Sequence, residues 1–197
     1  SAGDINGDGY DDLIIGAYTA DPNGTNSGSS YVVFGSGSAF AATVNLSILD
    51  GTTGFRLDGV AASDYSGGSV SSAGDINGDG YDDLIIGAYG ADINGSTSGS
   101  SYVVFGSASA FASTVNLSDL DGTTGFRLDG VAASDYSGNS VSSAGDINGD
   151  GYNDLIIGTP YANNNGTHSG SSYVVFGSGS AFAATVDLST LDGTNGF

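Results

Sequence analysis

The chain is one unit written three times. The run Ser1-Ala-Gly-Asp-Ile-Asn-Gly-Asp-Gly-Tyr10 returns from Ser72 and again from Ser143, and Tyr31-Val-Val-Phe-Gly-Ser36 returns at Tyr102 and Tyr173, always at a spacing of 71 residues. Gly54-Phe-Arg-Leu-Asp-Gly59 returns once, at Gly125. Near-identical copies must each form the same supersecondary unit, and such a unit buries its faces only against its neighbours. The units divide as 1–71, 72–142 and 143–197. The third is short by 16 residues, the stretch that corresponds to Arg56–Ser71. The chain opens in mid-pattern at Ser1, which reads as a piece cut from something longer.

Each unit carries four candidate strands: a Ser/Val-rich one near Gly68–Gly74, then Asp12–Tyr18, Ser29–Phe34 and Gly54–Asp58. Gly, Ser, Asn and Asp punctuate them, as in all-β chains. Leu13-Ile14-Ile15 and Tyr31–Phe34 are unbroken apolar runs, the pattern of strands covered on both faces. Phe40–Leu49, with Val44, Leu46 and Leu49, reads as a long connection with room for a single helical turn. Four short strands repeated radially make a propeller blade. The predicted fold is therefore all-β, with β-propeller blades of four antiparallel strands in an incomplete ring or a segment of a longer array. Propellers hold about 4–8 blades, so three leave two open flanks. Self-association through those flanks would give a ring or a filament. An open solenoid of stacked sheets is the competing arrangement.

Charge narrows the function. There are 22 acidic residues against 2 basic ones, Arg56 and Arg127, for a net charge of -20. Nucleic-acid binding needs Lys and Arg to displace counterions from phosphates, so that class is excluded. Anionic membranes would repel the chain, and no apolar run approaches the roughly 20 residues of a membrane span. Cysteine is absent, which removes disulfides, zinc-thiolate sites and thiol nucleophiles. The natural partner of so much carboxylate is a cation.

The carboxylates cluster in Asp4-Ile-Asn6-Gly-Asp8-Gly-Tyr10-Asp-Asp12, in Asp75-Ile-Asn77-Gly-Asp79-Gly-Tyr81-Asp-Asp83, and in Asp146-Ile-Asn148-Gly-Asp150-Gly-Tyr152-Asn-Asp154. Calcium wants about six to eight oxygens in a flexible shell. Side chains at loop positions 1, 3 and 5, the backbone carbonyl at 7 and a carboxylate at 9 supply such oxygens. The glycine at position 6 allows the turn that aims them inward. An EF-hand would need a Glu at position 12, where Ile15 stands. The reading is one calcium per repeat, three in all, held in β-hairpin loops. Magnesium fits less well, because it demands tight octahedral geometry and keeps its water. A bare Asn-Gly hairpin turn explains Asn6-Gly7, but not three carboxylates in nine residues, three times over.

Ser72-Ala-Gly-Asp-Ile-Asn-Gly-Asp-Gly-Tyr-Asp-Asp-Leu-Ile-Ile-Gly-Ala88 resembles the FG-GAP repeats of the integrin-α family, and the resemblance covers the whole chain. It implies a propeller with calcium between the first two strands of each blade, on Asp4, Asn6, Asp8, the Tyr10 carbonyl and Asp12 and on their counterparts. Leu120-Asp-Gly-Thr-Thr-Gly-Phe-Arg-Leu-Asp-Gly130 is similar to the bacterial version found in large secreted calcium-binding proteins. That likeness implies an extracellular or cell-surface, bacterial setting. Two departures stand out. The family's Gly-Ala-Pro is Gly16-Ala17-Tyr18, Gly87-Ala88-Tyr89 and Gly158-Thr159-Pro160, and its Phe-Gly is Ser66-Gly67 and Ser137-Gly138, preceded by Tyr65 and Tyr136. Both bear on blade packing more than on the ion.

The remaining residues point away from catalysis. His168, the single histidine, aligns with Asn26 and Thr97 in a polar loop. Arg56 and Arg127 should each pair with a nearby Asp, and Asp64 and Asp135 should hold turns. Three equal repeats would need three equal active sites, and no Ser/His/Asp arrangement is present outside the loops. The segments 19–26, 90–97 and 161–168 differ while their flanks do not, which makes them candidate contacts for a protein or glycan ligand. The function expected is a non-catalytic, calcium-binding extracellular module for adhesion or surface binding. A structural unit of a filament, stalk or surface layer is the alternative, and an accessory domain of a secreted hydrolase the third.

Overall fold

The computed structural model describes residues 1–197. Twelve short strands follow one another: β1 (Leu13–Ala17), β2 (Ser29–Val33), β3 (Gly54–Asp58), β4 (Ser69–Gly74), β5 (Asp83–Ala88), β6 (Ser100–Val104), β7 (Thr114–Asn116), β8 (Gly125–Asp129), β9 (Ser140–Gly145), β10 (Asp154–Thr159), β11 (Ser171–Val175) and β12 (Thr185–Asp187). They form three sheets, in the orders β1-β2-β3-β7, β12-β8-β6-β5-β4 and β11-β10-β9. The middle sheet shows the whole blade. Its four neighbouring strands β4, β5, β6 and β8 pair antiparallel, with Ile86 opposite Val70 and Tyr102, and Val103 opposite Phe126. All-β, propeller-like blades are thus as the sequence predicts, and β3 has the expected bounds.

Two details correct that expectation. The blade has five strands, and the fifth is parallel: β7 pairs with β3, and β12 with β8. These strands come out of the long connection of the following repeat, which reaches back as an arm and clasps the blade before it. The expected helical turn is also there, as 3-10 turns at Leu46–Ile48, Leu117–Asp119 and Leu188–Thr190. Phe111 on the arm stacks on Phe55 of the earlier blade, with ring centroids 4.4 Å apart, and Phe182 does the same on Phe126 at 4.4 Å. In the first repeat Thr43-Val44-Asn45 has the sequence of β7 but no edge to join, and it is not a strand.

Two cores lie in the seams between blades. Val32, Phe55 and Leu57 of the first sheet meet Leu84, Ile86, Tyr102 and Val104 of the second. Ile85, Val103, Phe126 and Leu128, on the other face of the second sheet, meet Leu155, Ile157 and Val175 of the third. Each buried side chain contributes about 1.5–3 kcal/mol. The Leu-Ile-Ile run is therefore dry on both faces only in the middle: Leu84, Ile85 and Ile86 are 0% exposed, whereas Leu13 is 56% exposed and Ile156 38%. At the end of the sheets away from the Asp-rich loops, Tyr18, Tyr65, Tyr89, Tyr136 and Tyr161 form one row, each ring 5.1 to 6.4 Å from the next.

Candidate functional site

The three Asp-rich loops join the first strand of a blade to its second, so β4 and β5 hold both ends of the middle one. Loop N–H groups set the carboxylates. Asp4 accepts from the N–H of Asp8 at 3.0 Å through Oδ1 and of Gly9 at 2.9 Å through Oδ2. Asn6 Oδ1 accepts from Asp8 N–H at 2.9 Å, and Asp8 Oδ1 from Tyr10 N–H at 3.0 Å. The second and third copies repeat these bonds through Asp75, Asn77 and Asp79 and through Asp146, Asn148 and Asp150. Positions 1, 3 and 5 are thereby drawn into one turn of chain; in the second and third loops Oδ1 of Asp75 and of Asp146 also accepts from the N–H of Gly78 and of Gly149 at 2.7 Å.

Position 9 does a second job that the sequence did not announce. Asp12 is buried; its Oδ2 accepts from Ile5 N–H at 3.0 Å and its Oδ1 from Gly35 N–H at 2.7 Å. Asp83 bonds Ile76 and Gly106 in the same way, and Asp154 bonds Ile147 and Gly177. The carboxylate thus staples its own loop to the end of the third strand. Burial raises the pKa of Asp12, and repulsion from Asp8 and Asp4 adds to it. Asp83 is pushed up to about 7, by burial first and by Asp79 and Asp75 after it.

Nothing positive balances these groups. Arg56 pairs with Asp58 at 2.7 Å and Arg127 with Asp129 at 2.6 Å, as expected, on β3 and β8 rather than on the loops. No three His, Cys, Asp or Glu side chains converge into a ready-made ligand group. The donor set of each loop is mixed instead: three carboxylates, one amide and one backbone carbonyl, all oxygen. Such a set suits a hard cation of flexible coordination.

The loops also touch across the seams. Asp4 N–H donates to Asp82 Oδ2 at 2.8 Å and Asp82 N–H to the Asp4 carbonyl at 3.2 Å. Asn153 replaces Asp82 one seam on, with its Oδ1 3.0 Å from Asp75 N and its own N–H 3.0 Å from the Asp75 carbonyl. Asp82 and Asn153 sit at loop position 8, which no feature of the repeat pattern singles out.

The variable loops share one frame. Asn26, Thr97 and His168 each donate an N–H to Asp21, Asp92 or Asn163 and hold a positive φ of 52 to 54°. Asn23 and Asn94 donate side-chain bonds of 2.8 Å to the carbonyls of Gly59 and Gly130. His168 lies edge-on to Tyr161, with no carboxylate or nucleophile bonded to its ring. The loops thus offer different exposed side chains on one backbone.

The FG-GAP repeat matches residues 1–33, 66–104 and 137–175. Each matched segment carries an Asp-rich loop and runs to the end of a third strand. The chain belongs to the FG-GAP repeat family. Among relatives, this FG-GAP chain is 32% identical over 183 residues to integrin alpha pat-2 of Caenorhabditis elegans, which covers 90% of the chain but 13% of that protein. Integrin alpha-PS5 of Drosophila melanogaster is 32% identical over 82% of the chain and 14% of its own length. Phosphatidylinositol-glycan-specific phospholipase D of Bos taurus is 30% identical over 95% of the chain and 21% of its own length. The chain thus spans between about an eighth and a fifth of these relatives. No helix is long and apolar enough to cross a membrane.

Proposed function

We propose that this FG-GAP segment is a non-catalytic, calcium-stiffened module of an extracellular protein, used for adhesion or surface binding. The observation that carries the reading is the set of three loops with identical all-oxygen donors and no cationic side chain among them. Calcium would sit on Asp4, Asn6, Asp8, the Tyr10 carbonyl and Asp12, and on their counterparts from Asp75 and from Asp146. It would supply charge neutralisation and rigidity and no reaction chemistry. Similarity to integrin alpha chains supports the extracellular setting. The bacterial origin rests on the likeness of Leu120–Gly130 alone. Partner contact falls to loops 19–26, 90–97 and 161–168, where a protein or glycan would meet varied side chains on a fixed frame. The uncovered flanks at Leu13 and Ile156 support a further blade on either side, in a ring or a filament.

An ion that binds only the folded state adds about 1.4 kcal/mol for each tenfold rise above its dissociation constant. The melting temperature in millimolar calcium should therefore lie well above that in chelator, and calorimetry should count three ions. Equal melts would remove calcium from the proposal. A second reading, an accessory segment of a hydrolase, draws on the phospholipase D relatives. A hydrolase carrying this segment that loses activity when the segment is removed would favour it.

A further inference from the structure

We infer that the side chain at loop position 8, Asp82 in the second repeat and Asn153 in the third, is a positioning residue for the ion site of the preceding blade, so that the three loops bind their ions unequally. This rests on the calcium reading above.

Asp4 and Asp75 are the first ligands of their loops, and each has its backbone clamped from the next blade by a reciprocal pair of hydrogen bonds. Two more contacts back the same loops. Ser107 N–H donates to the Ile5 carbonyl at 2.9 Å, and Ser178 N–H to that of Ile76 at 2.9 Å. The Tyr81 ring covers Gly7, and the Tyr152 ring covers Gly78. The third loop has no such support within this chain: around Gly145 and Gly149 there is open space.

The residue does its work outside its own loop. The Asp82 carboxylate reaches Asp4 N–H, not a group of the Asp75–Asp83 turn. An acceptor oxygen suffices, because Asn153 makes the same bond without charge. Preorganisation of a site before its ligand arrives appears directly in affinity. Asp82 also lies between Tyr81 and Asp83, the position 7 and position 9 donors of the second loop. Asp11, the same residue in the first repeat, has no loop before it in this chain and serves as the internal control.

The test is a calcium titration of the whole chain followed by nitrogen-resolved NMR, reading the amides of Gly9, Gly80 and Gly151 as reporters of the three loops. In the wild type the Gly151 midpoint should lie at the highest calcium. Asp82→Ala should raise the Gly9 midpoint about tenfold, the upper end of what one hydrogen bond contributes, and leave Gly80 and Gly151 in place. Asp82→Asn should restore it, which a merely structural loss would not do, and Asp11→Ala should move nothing. If all three amides respond to calcium but Asp82→Ala leaves Gly9 unmoved, the positioning role is wrong and the calcium reading stands. If no amide responds up to about 10 mM, above the range of weak extracellular sites, both fall.

Discussion

The ring of Tyr65 lies flat on that of Tyr89, with centroids 5.3 Å apart and planes 2° apart. Each is a departure from the family pattern, one before Ser66-Gly67 and one after Gly87-Ala88, and the seam between blades joins them. The pair continues to Tyr136, 6.3 Å beyond Tyr89. Where Pro160 takes the place of Tyr18 and Tyr89, the next residue, Tyr161, meets Tyr136 instead at 5.1 Å. The row is a packing device that stitches blade to blade opposite the Asp-rich loops. Tyr89→Ala should cost about 2–3 kcal/mol, below the range for a fully buried aromatic because this ring is half-buried. Tyr89→Phe should hold the stack and the stability. Urea unfolding of both variants beside Tyr18→Ala, which loses one tilted neighbour and should fall by less than about 1 kcal/mol, checks the ranking.

The arms provide a comparison inside one molecule. Phe40 and Phe111 occupy the same place in their repeats, but Phe111 stacks on Phe55 while Phe40 is 56% exposed. Phe111→Ala should therefore cost about 3 kcal/mol and Phe40→Ala less than about 0.5 kcal/mol. Equal losses by chemical denaturation would mean that the arm does not hold the preceding blade.

Those arms also mark the limit of sequence reading. The period, the Leu-Ile-Ile and Tyr-Val-Val-Phe strands and the Asp-rich loops were legible because each is written in local residue pattern. Thr43-Val44-Asn45 and Thr114-Val115-Asn116 are the same three residues, yet only the second is a strand, because only it has an edge to join. Asp11 and Asp82 are likewise identical in sequence and differ in what stands beside them. Contacts between repeats separate positions that the repeat itself makes equal. The tyrosines were legible as departures, and their pairing was not, for the same reason.

Stability without calcium should depend on pH through two opposed groups of carboxylates. Burial raises the pKa of Asp64 and Asp135, whose remaining bonds come from the N–H of Ala61 and Ala132. Folding then favours their protonated form, so their contribution is fully present below the unfolded value near pH 4 and is lost as pH rises through the raised value. Asp50, Asp121 and Asp192 run the other way. Bonds from Thr52 lower Asp50 to about 2, and Thr123 and Thr194 lower the other two. Their contribution is present above about pH 4 and is lost as pH falls toward the lowered values. Replacing both Asp64 and Asp135 with Asn should lessen the decline in stability above about pH 4, the remainder belonging to the buried Asp12 and Asp83, and leave the acid limb as it was. Urea midpoints from pH 3 to pH 7 would read this, and an unchanged decline would show that neither buried carboxylate causes it.

Gly78 and Gly149 isolate what the seam adds to a loop. Both sit at loop position 4 with nearly the same backbone, φ of +75° and +78°, so an alanine pays a similar strain at each. Around Gly149 there is open space, whereas a Cβ on Gly78 would overlap the ring of Tyr152 from the next blade. Gly149→Ala should thus cost about 1–2 kcal/mol, the left-handed strain alone. Gly78→Ala should cost that and a further 1–3 kcal/mol or so for displacing the ring. The double variant Gly78→Ala with Tyr152→Ala separates the two terms, because removing the ring abolishes the clash and leaves the strain. A double-variant cycle on urea midpoints should show coupling of at least about 1 kcal/mol at Gly78 and none when Gly149→Ala is combined with the same Tyr152→Ala. Additive costs at Gly78 would mean that the ring does not press on the loop.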